Sequence, residues 1–233
     1  MKPNEWVRLP SGWIGEKRLT EFEWGHAGAG ADQVAALTLL IIIAHSVDPD
    51  TGIARITYDE ITTRTGLSRP KVSRALKVLQ ERQLITRPAG AGRSEFGLAN
   101  YDQVPWAKLP FRGMYDDGRI RVFHEFRLRK VIELDALKLF LLFAQRRDQS
   151  TNLANISYDK IVEYAGVARV RIKHAISFLV VHMLIHVEQI PSRQTDHGIA
   201  HAYRLVGIDP HNHMGTRGRA MLQAVPFFSE DAP

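Results

Sequence analysis

The sequence predicts a mainly helical α+β chain built from two tandem units of one design. Three observations carry this reading: a stretch that recurs at an offset of 100 residues, apolar runs at helical spacing, and, late in each unit, two short strand-like runs around a polar turn.

The recurrence comes first because it decides how many units must be explained. Residues 36–87 align without a gap with residues 136–187 and are identical at 17 of 52 positions, among them Ala36, Leu39, Asp48, Tyr58, Asp59, Gly66, Arg69, Ala75 and Leu79. Unrelated sequences of average composition would share roughly 3 or 4. Upstream, Trp6, Leu9 and Pro10 have counterparts in Trp106, Leu109 and Pro110. The boundaries that follow are a first unit at 1–100, a linker and start of the second repeat at 101–112, a second unit at 113–207 and a flexible tail at 208–233.

Within a unit the elements follow in order. ALTLLIIIAHS is a continuous apolar run closed by DPDTG, and ALKLFLLFAQRRDQSTN repeats the arrangement, so each is a buried helix ended by a turn. Thr57 followed by Glu60 is a capping-box spacing, and Gly66 is placed to end the second helix. Ser68 stands where it can cap a third helix, in which Val72, Ala75, Leu76 and Leu79 share one apolar face. The opposite face carries Pro70, Arg74 and Lys77, flanked by Lys71 and Ser73. LITRP and EFGLAN then give two short strands around the glycine-rich AGAGRS. Helix, helix, turn, helix and a two-stranded wing is the winged helix-turn-helix order. The fold class expected is therefore two tandem winged helix-turn-helix domains related by internal duplication.

Composition narrows the function. Lys and Arg number 31 against 25 Asp and Glu, a formal charge of +6 with a pI near 9.7, which favours polyanionic partners. The absence of cysteine excludes disulfides, thiolate metal sites and cysteine nucleophiles. MKPNEWVRLP has no signal-peptide core, and the apolar run from Leu39 to Ala44 is too short to span a bilayer, so the expectation is a cytoplasmic, nucleoid-associated protein with no membrane partner. No P-loop, dinucleotide fingerprint, metalloprotease motif or serine elbow is present, and neither an enzyme nor a cofactor is expected. His211 and His213 beside Asp209 are weak as metal ligands and read as surface residues.

The segment GLSRPKVSRALKVLQERQLI, preceded by ITYDEI, resembles the helix-turn-helix cores of MarR-like and GntR-like regulators, and those of phage replication proteins and plasmid initiators. The resemblance implies that the third helix enters the major groove of double-stranded DNA while the wing touches backbone or minor groove. The second unit, GVARVRIKHAISFLVVHMLI, departs from the pattern with Ala168 for the serine and Val170 for the proline.

Donors near the start of a recognition helix meet base edges and phosphate. The candidate DNA-binding residues of the first unit are Ser68, Arg69, Pro70, Lys71, Ser73 and Arg74, with Lys77, Arg87 and Arg93 as phosphate clamps. Arg74 is the first choice for bidentate reading of guanine. In the second unit, Arg169, Arg171, Lys173 and His174 take the equivalent places, and Arg193 lies near the wing tip. Where the first unit has Gln80, Glu81 and Gln83, the second has Val180, Val181 and Met183, which are expected to pack against the first unit or another subunit, or else to extend the local core. In the tail, Arg217 and Arg219 are candidates for DNA contact, and Phe227 and Phe228 for docking on a folded surface. The expected function is sequence-specific DNA binding by a transcriptional regulator acting as a single-chain pseudo-dimer. The alternatives are a plasmid or phage replication initiator, with replication proteins as partners, and a winged-helix interaction scaffold.

Overall fold

A computed structural model describes residues 5–25, 28–87, 94–111, 113–191 and 199–208. Strand β1 (Trp6–Pro10) leads into a short helix α1 (Gly12–Gly15) and a 3-10 turn (Arg18–Glu21). Helix α2 (Ala29–Ser46) is apolar on every side, and from Val34 to His45 every residue is buried, as such a helix must be. It is the one described helix long and apolar enough to cross a membrane, but 72% of it lies inside the protein fold. The sequence run from Leu39 to Ala44 understated its length because Thr38 interrupts the apolar pattern on one side and His45 and Ser46 on the other.

Strand β2 (Ile53–Arg55), helix α3 (Tyr58–Thr65), helix α4 (Arg69–Glu81) and strands β3 (Ile85–Thr86) and β4 (Glu95–Leu98) complete the first half. The capping box at Thr57 and Glu60 is formed in both directions, and Gly66 ends α3 at φ 74, a left-handed conformation that favours glycine. Ser68 occupies the N-cap position of α4 in extended conformation, but its side chain makes no cap bond, contrary to expectation. Pro70 is the reason on one side: at the second helical position it offers no N–H to a capping hydroxyl. Strands β2, β4 and β3 form an antiparallel sheet in that order.

The second half comprises β5 (Trp106–Pro110), β6 (Tyr115–Asp116), β7 (Arg119–Ile120), α5 (Arg121–Glu125), α6 (Val131–Arg146), β8 (Ala154–Asn155), α7 (Tyr158–Ala165), α8 (Arg169–Val181), β9 (Ile185–Pro191) and β10 (Ile199–Leu205). From α6 onward it presents the same order of elements as the first half does from α2. The sheet order β8, β10, β9 matches that of the first half, and the β9–β10 hairpin is paired over more residues than the first wing. Asp48 and Asp148 build matching turns after α2 and α6, each Oδ1 accepting bonds from the backbone and side chain of the residues that follow. The hydroxyl of Ser150 and the amide of Thr151 hold the Asp148 carboxyl down to about 2.

The halves are joined by more than a linker. Residues 106–110 form β5, which pairs antiparallel with β1. Helix α2 packs against α6, and one continuous cluster of buried side chains runs from Leu9 to Ile208. The segment after each first strand docks on the opposite half: the 3-10 turn packs on α7, and β7 and α5 pack on α3. His124 from α5 donates from Nε2 to the Thr63 carbonyl and lies against Gly66, while Thr20 lies against Gly166 in the second half. His45 closes the seam. Its Nε2 donates to the Pro110 carbonyl at 2.9 Å, which leaves Nδ1 to accept from the Tyr115 hydroxyl at 2.9 Å.

Candidate nucleic-acid interface

Helix α4 is positioned by its buried face. Val72, Ala75, Leu76 and Leu79 are buried against α2, at the helical spacing that places them on one side. Full burial of side chains of this size contributes about 1.5–3 kcal/mol each for the larger ones. That anchoring leaves Ser68, Arg69, Pro70, Ser73, Arg74 and Lys77 exposed together, and the expected reading face of the first half is brought into one patch.

Arg69, Lys71 and Arg74 are held by carboxylates. Arg69 Nη2 donates to Asp59 Oδ1 at 2.6 Å, both side chains being well exposed. Lys71 Nζ donates to Asp32 Oδ1 at 2.7 Å, and Arg74 Nε donates to the same oxygen at 3.1 Å. Lys71 is 16% exposed and Arg74 52%, so Lys71 sits beneath the patch and Arg74 reaches out of it. Burial pushes the Asp32 carboxyl up, but the hydrogen bonds and charges of Lys71 and Arg74 outweigh it and hold the group below the usual range. Lys77 lies 3.8 Å from Glu81, a loose exposed pair of little energetic weight. Arg87 stacks over Phe96 at the base of the wing, 5.1 Å from the ring centre. Arg93 lies outside the described residues.

The end of α4 is tied to the N-terminal segment. Arg82 caps the helix, donates from Nη2 to the Glu21 carbonyl and lies over the Phe22 ring at 4.4 Å. Arg18 returns the contact with a 2.6 Å bond to the Arg82 carbonyl.

Helix α8 has the same burial pattern as α4, with Ile172, Ala175, Ile176 and Leu179 inside. Arg169 pairs with Asp159, as Arg69 does with Asp59. Arg171 pairs with Asp135 at 2.7 Å, in the manner of Lys71 with Asp32. Lys173 and His174 are exposed and have no partner among the described residues. Arg193 lies outside the described residues, as do His211, His213, Arg217, Arg219, Phe227 and Phe228.

The expected packing of Val180, Val181 and Met183 against the first half is not found. They are 40%, 76% and 70% exposed, which also removes the extended local core. Their positions explain this: α8 turns its other side to the core, and Met183 stands at positive φ in the tight turn before β9.

Sequence reasoning missed the acidic half of the site. Asp59 and Arg69 recur as Asp159 and Arg169, so the shared spacing held a usable signal. Asp32 and Asp135 held none, because their partners lie on another helix and the counterpart of Asp32 in the second half is Ile132.

Comparison with known families matches residues 33–94 to the MarR family. The span runs from the first turns of α2 through both helices of the helix-turn-helix to the residue before β4. Residues 33–94 are thus a MarR-family winged helix-turn-helix domain, a module of DNA-binding transcription regulators. Searches of curated proteins and of solved structures gave no match.

Proposed function

We propose that the chain, whose residues 33–94 form a MarR-family winged helix-turn-helix domain, is a transcription regulator that reads a specific double-stranded DNA sequence with two linked winged helices. The observation that carries this reading is the patch on α4, where Arg69, Ser73, Arg74 and Lys77 stand exposed on the third helix of that domain. Arg74 takes a base edge. Ser68, Pro70, Lys77 and Arg87 line the approach, with Lys77, Arg87 and Arg93 on phosphates.

The second half takes the role of the other member of a pseudo-dimer. What supports this is the pairing at the centre of the molecule. Arg8 faces Lys108, which occupies the same position in the other half, and α2 packs on its counterpart α6. Lys173 and His174 on α8 serve as phosphate contacts beside Arg169 and Arg171, and Arg193 is a further DNA contact. The half-sites are then about one helical turn apart or a multiple of it. Such a regulator acts in the cytoplasm. Val180 and Val181 at the end of α8 and Met183 in the turn after it, all exposed, form a contact surface for another protein chain.

Footprinting on a duplex selected from a random library tests the reading. Two protected half-sites at helical spacing support the pseudo-dimer. A single protected half-site removes that arrangement while leaving sequence-specific binding in place.

A further inference from the structure

We infer that Asp32 is a specificity-determining positioning residue, which fixes Arg74 so that its two terminal nitrogens are left for guanine. The inference rests on the reading of α4 as the DNA-reading helix. Asp32 stands in the first turn of α2, and its Oδ1 accepts both Lys71 Nζ at 2.7 Å and Arg74 Nε at 3.1 Å. A guanidinium is planar and carries five N–H donors. With Nε committed to the carboxylate, the four donors on Nη1 and Nη2 have no partner among the described residues. Those are the donors that a bidentate bond to guanine O6 and N7 uses.

Holding the fork in advance also spares side-chain entropy on binding, which sharpens discrimination between base pairs. Lys71 plays a different part. It shares the same oxygen, is mostly buried, and is withheld from phosphate while the clamp is closed. The double clamp belongs to the first half. In the second half Asp135 takes Arg171, the counterpart of Lys71, but the residue at the place of Arg74 is His174, which has no partner among the described residues. Base preference should therefore concentrate in the half-site read by α4.

The test compares wild type, Asp32→Asn, Asp32→Glu and Arg74→Lys on the duplex selected from a random library, on a random duplex, and on the selected duplex with 7-deazaguanine at the Arg74-dependent position. Binding is followed by fluorescence anisotropy across a salt series. Asp32→Asn should bind the random duplex at least as tightly as wild type, with a salt slope steeper by roughly one because Lys71 is released. It should lose roughly fivefold to a hundredfold of the preference for guanine, become insensitive to 7-deazaguanine, and recover part of both as Asp32→Glu. An Asp32→Asn protein that keeps the wild-type guanine preference and salt slope overturns the inference. Should Asp32→Asn fail to fold, Asp32→Ser decides: loss of guanine preference with random-duplex binding kept supports the inference, and wild-type guanine preference overturns it. A wild type that binds no duplex removes the DNA reading itself, a separate result from sequence-selective binding indifferent to Asp32.

Discussion

Arg8 and Lys108 face each other across the middle of the β1–β5 pair, and each places its cation over the tryptophan of the other's strand: Arg8 lies 5.1 Å from the Trp106 ring and Lys108 lies 4.6 Å from that of Trp6. The two indoles are themselves stacked at 5.6 Å. This reciprocal arrangement sits on the only described strand pairing between the halves, beside the α2–α6 packing, and a buried cluster continuous across both makes the halves depend on one another. Thermal unfolding is expected as one cooperative transition with equal calorimetric and van't Hoff enthalpies. Trp106→Ala should destabilise the whole protein by about 2–3 kcal/mol, less than a fully buried tryptophan would cost. Two resolved transitions by calorimetry would show the halves to be independent.

His45 makes the seam sensitive to acid. Burial pulls its pKa from 6.5 down to about 3, so the folded protein keeps it neutral, donating to Pro110 and accepting from Tyr115. The unfolded chain takes up the proton first as pH falls. Stability is therefore complete above about 6.5 and is lost progressively toward 3, by up to about 5 kcal/mol. Urea unfolding of wild type and His45→Gln from pH 7.5 to 4 checks this. The difference between the two proteins should shrink as pH falls, and a constant difference would count against the buried neutral imidazole.

Lys138 acts at the other end of the pH range. It is buried in α6, donates to the Phe22 carbonyl at 2.8 Å, and burial lowers its pKa from 10.5 to about 8 against the pull of Asp135 and Glu23. Here too the unfolded chain holds the proton more tightly, so the contribution of this group rises between pH 8 and 10.5, by up to about 3 kcal/mol. Lys138→Met should lack that rise in matched denaturation curves. An identical pH profile in both proteins would contradict it.

Gly66 is expected to be intolerant of a side chain. It ends α3 at φ 74, and a Cβ there would stand 3.1 Å from the His124 ring. Gly66→Ala should lose about 1–3 kcal/mol through backbone strain. It should also weaken DNA binding, because the turn sets the angle between α3 and α4. Melting temperature and anisotropy measured together check both, and unchanged values would mean that the turn relaxes freely.

Much of the first half was legible in the sequence because its signals are local. The Thr57–Glu60 box, the glycine stop and the apolar face of α4 each lie within a few residues of what they control. The strands and the short helix between 106 and 125 were not legible, since their short runs gain order only by docking on the opposite half. The basic residues of α4 could be named from the sequence, yet their ion pairing was hidden. Arg69, Lys71 and Arg74 look alike in the sequence, whereas their partners Asp59 and Asp32 lie 10, 39 and 42 residues away. Val181 was ambiguous for the same reason: periodicity places it outside the core face of α8, and only the fold shows that no other part of the described chain covers it.

The central claim is that α4 reads sequence while α8 mainly grips backbone. It is tested most directly by binding of wild type, Arg74→Ala and His174→Ala to a library-selected duplex and to its single-base variants. Arg74→Ala should cost about 1–3 kcal/mol on the selected duplex and lose discrimination at one base pair. His174→Ala should weaken all duplexes evenly and leave discrimination intact. Equal, sequence-independent losses from both substitutions, or discrimination lost only through His174→Ala, would contradict the account.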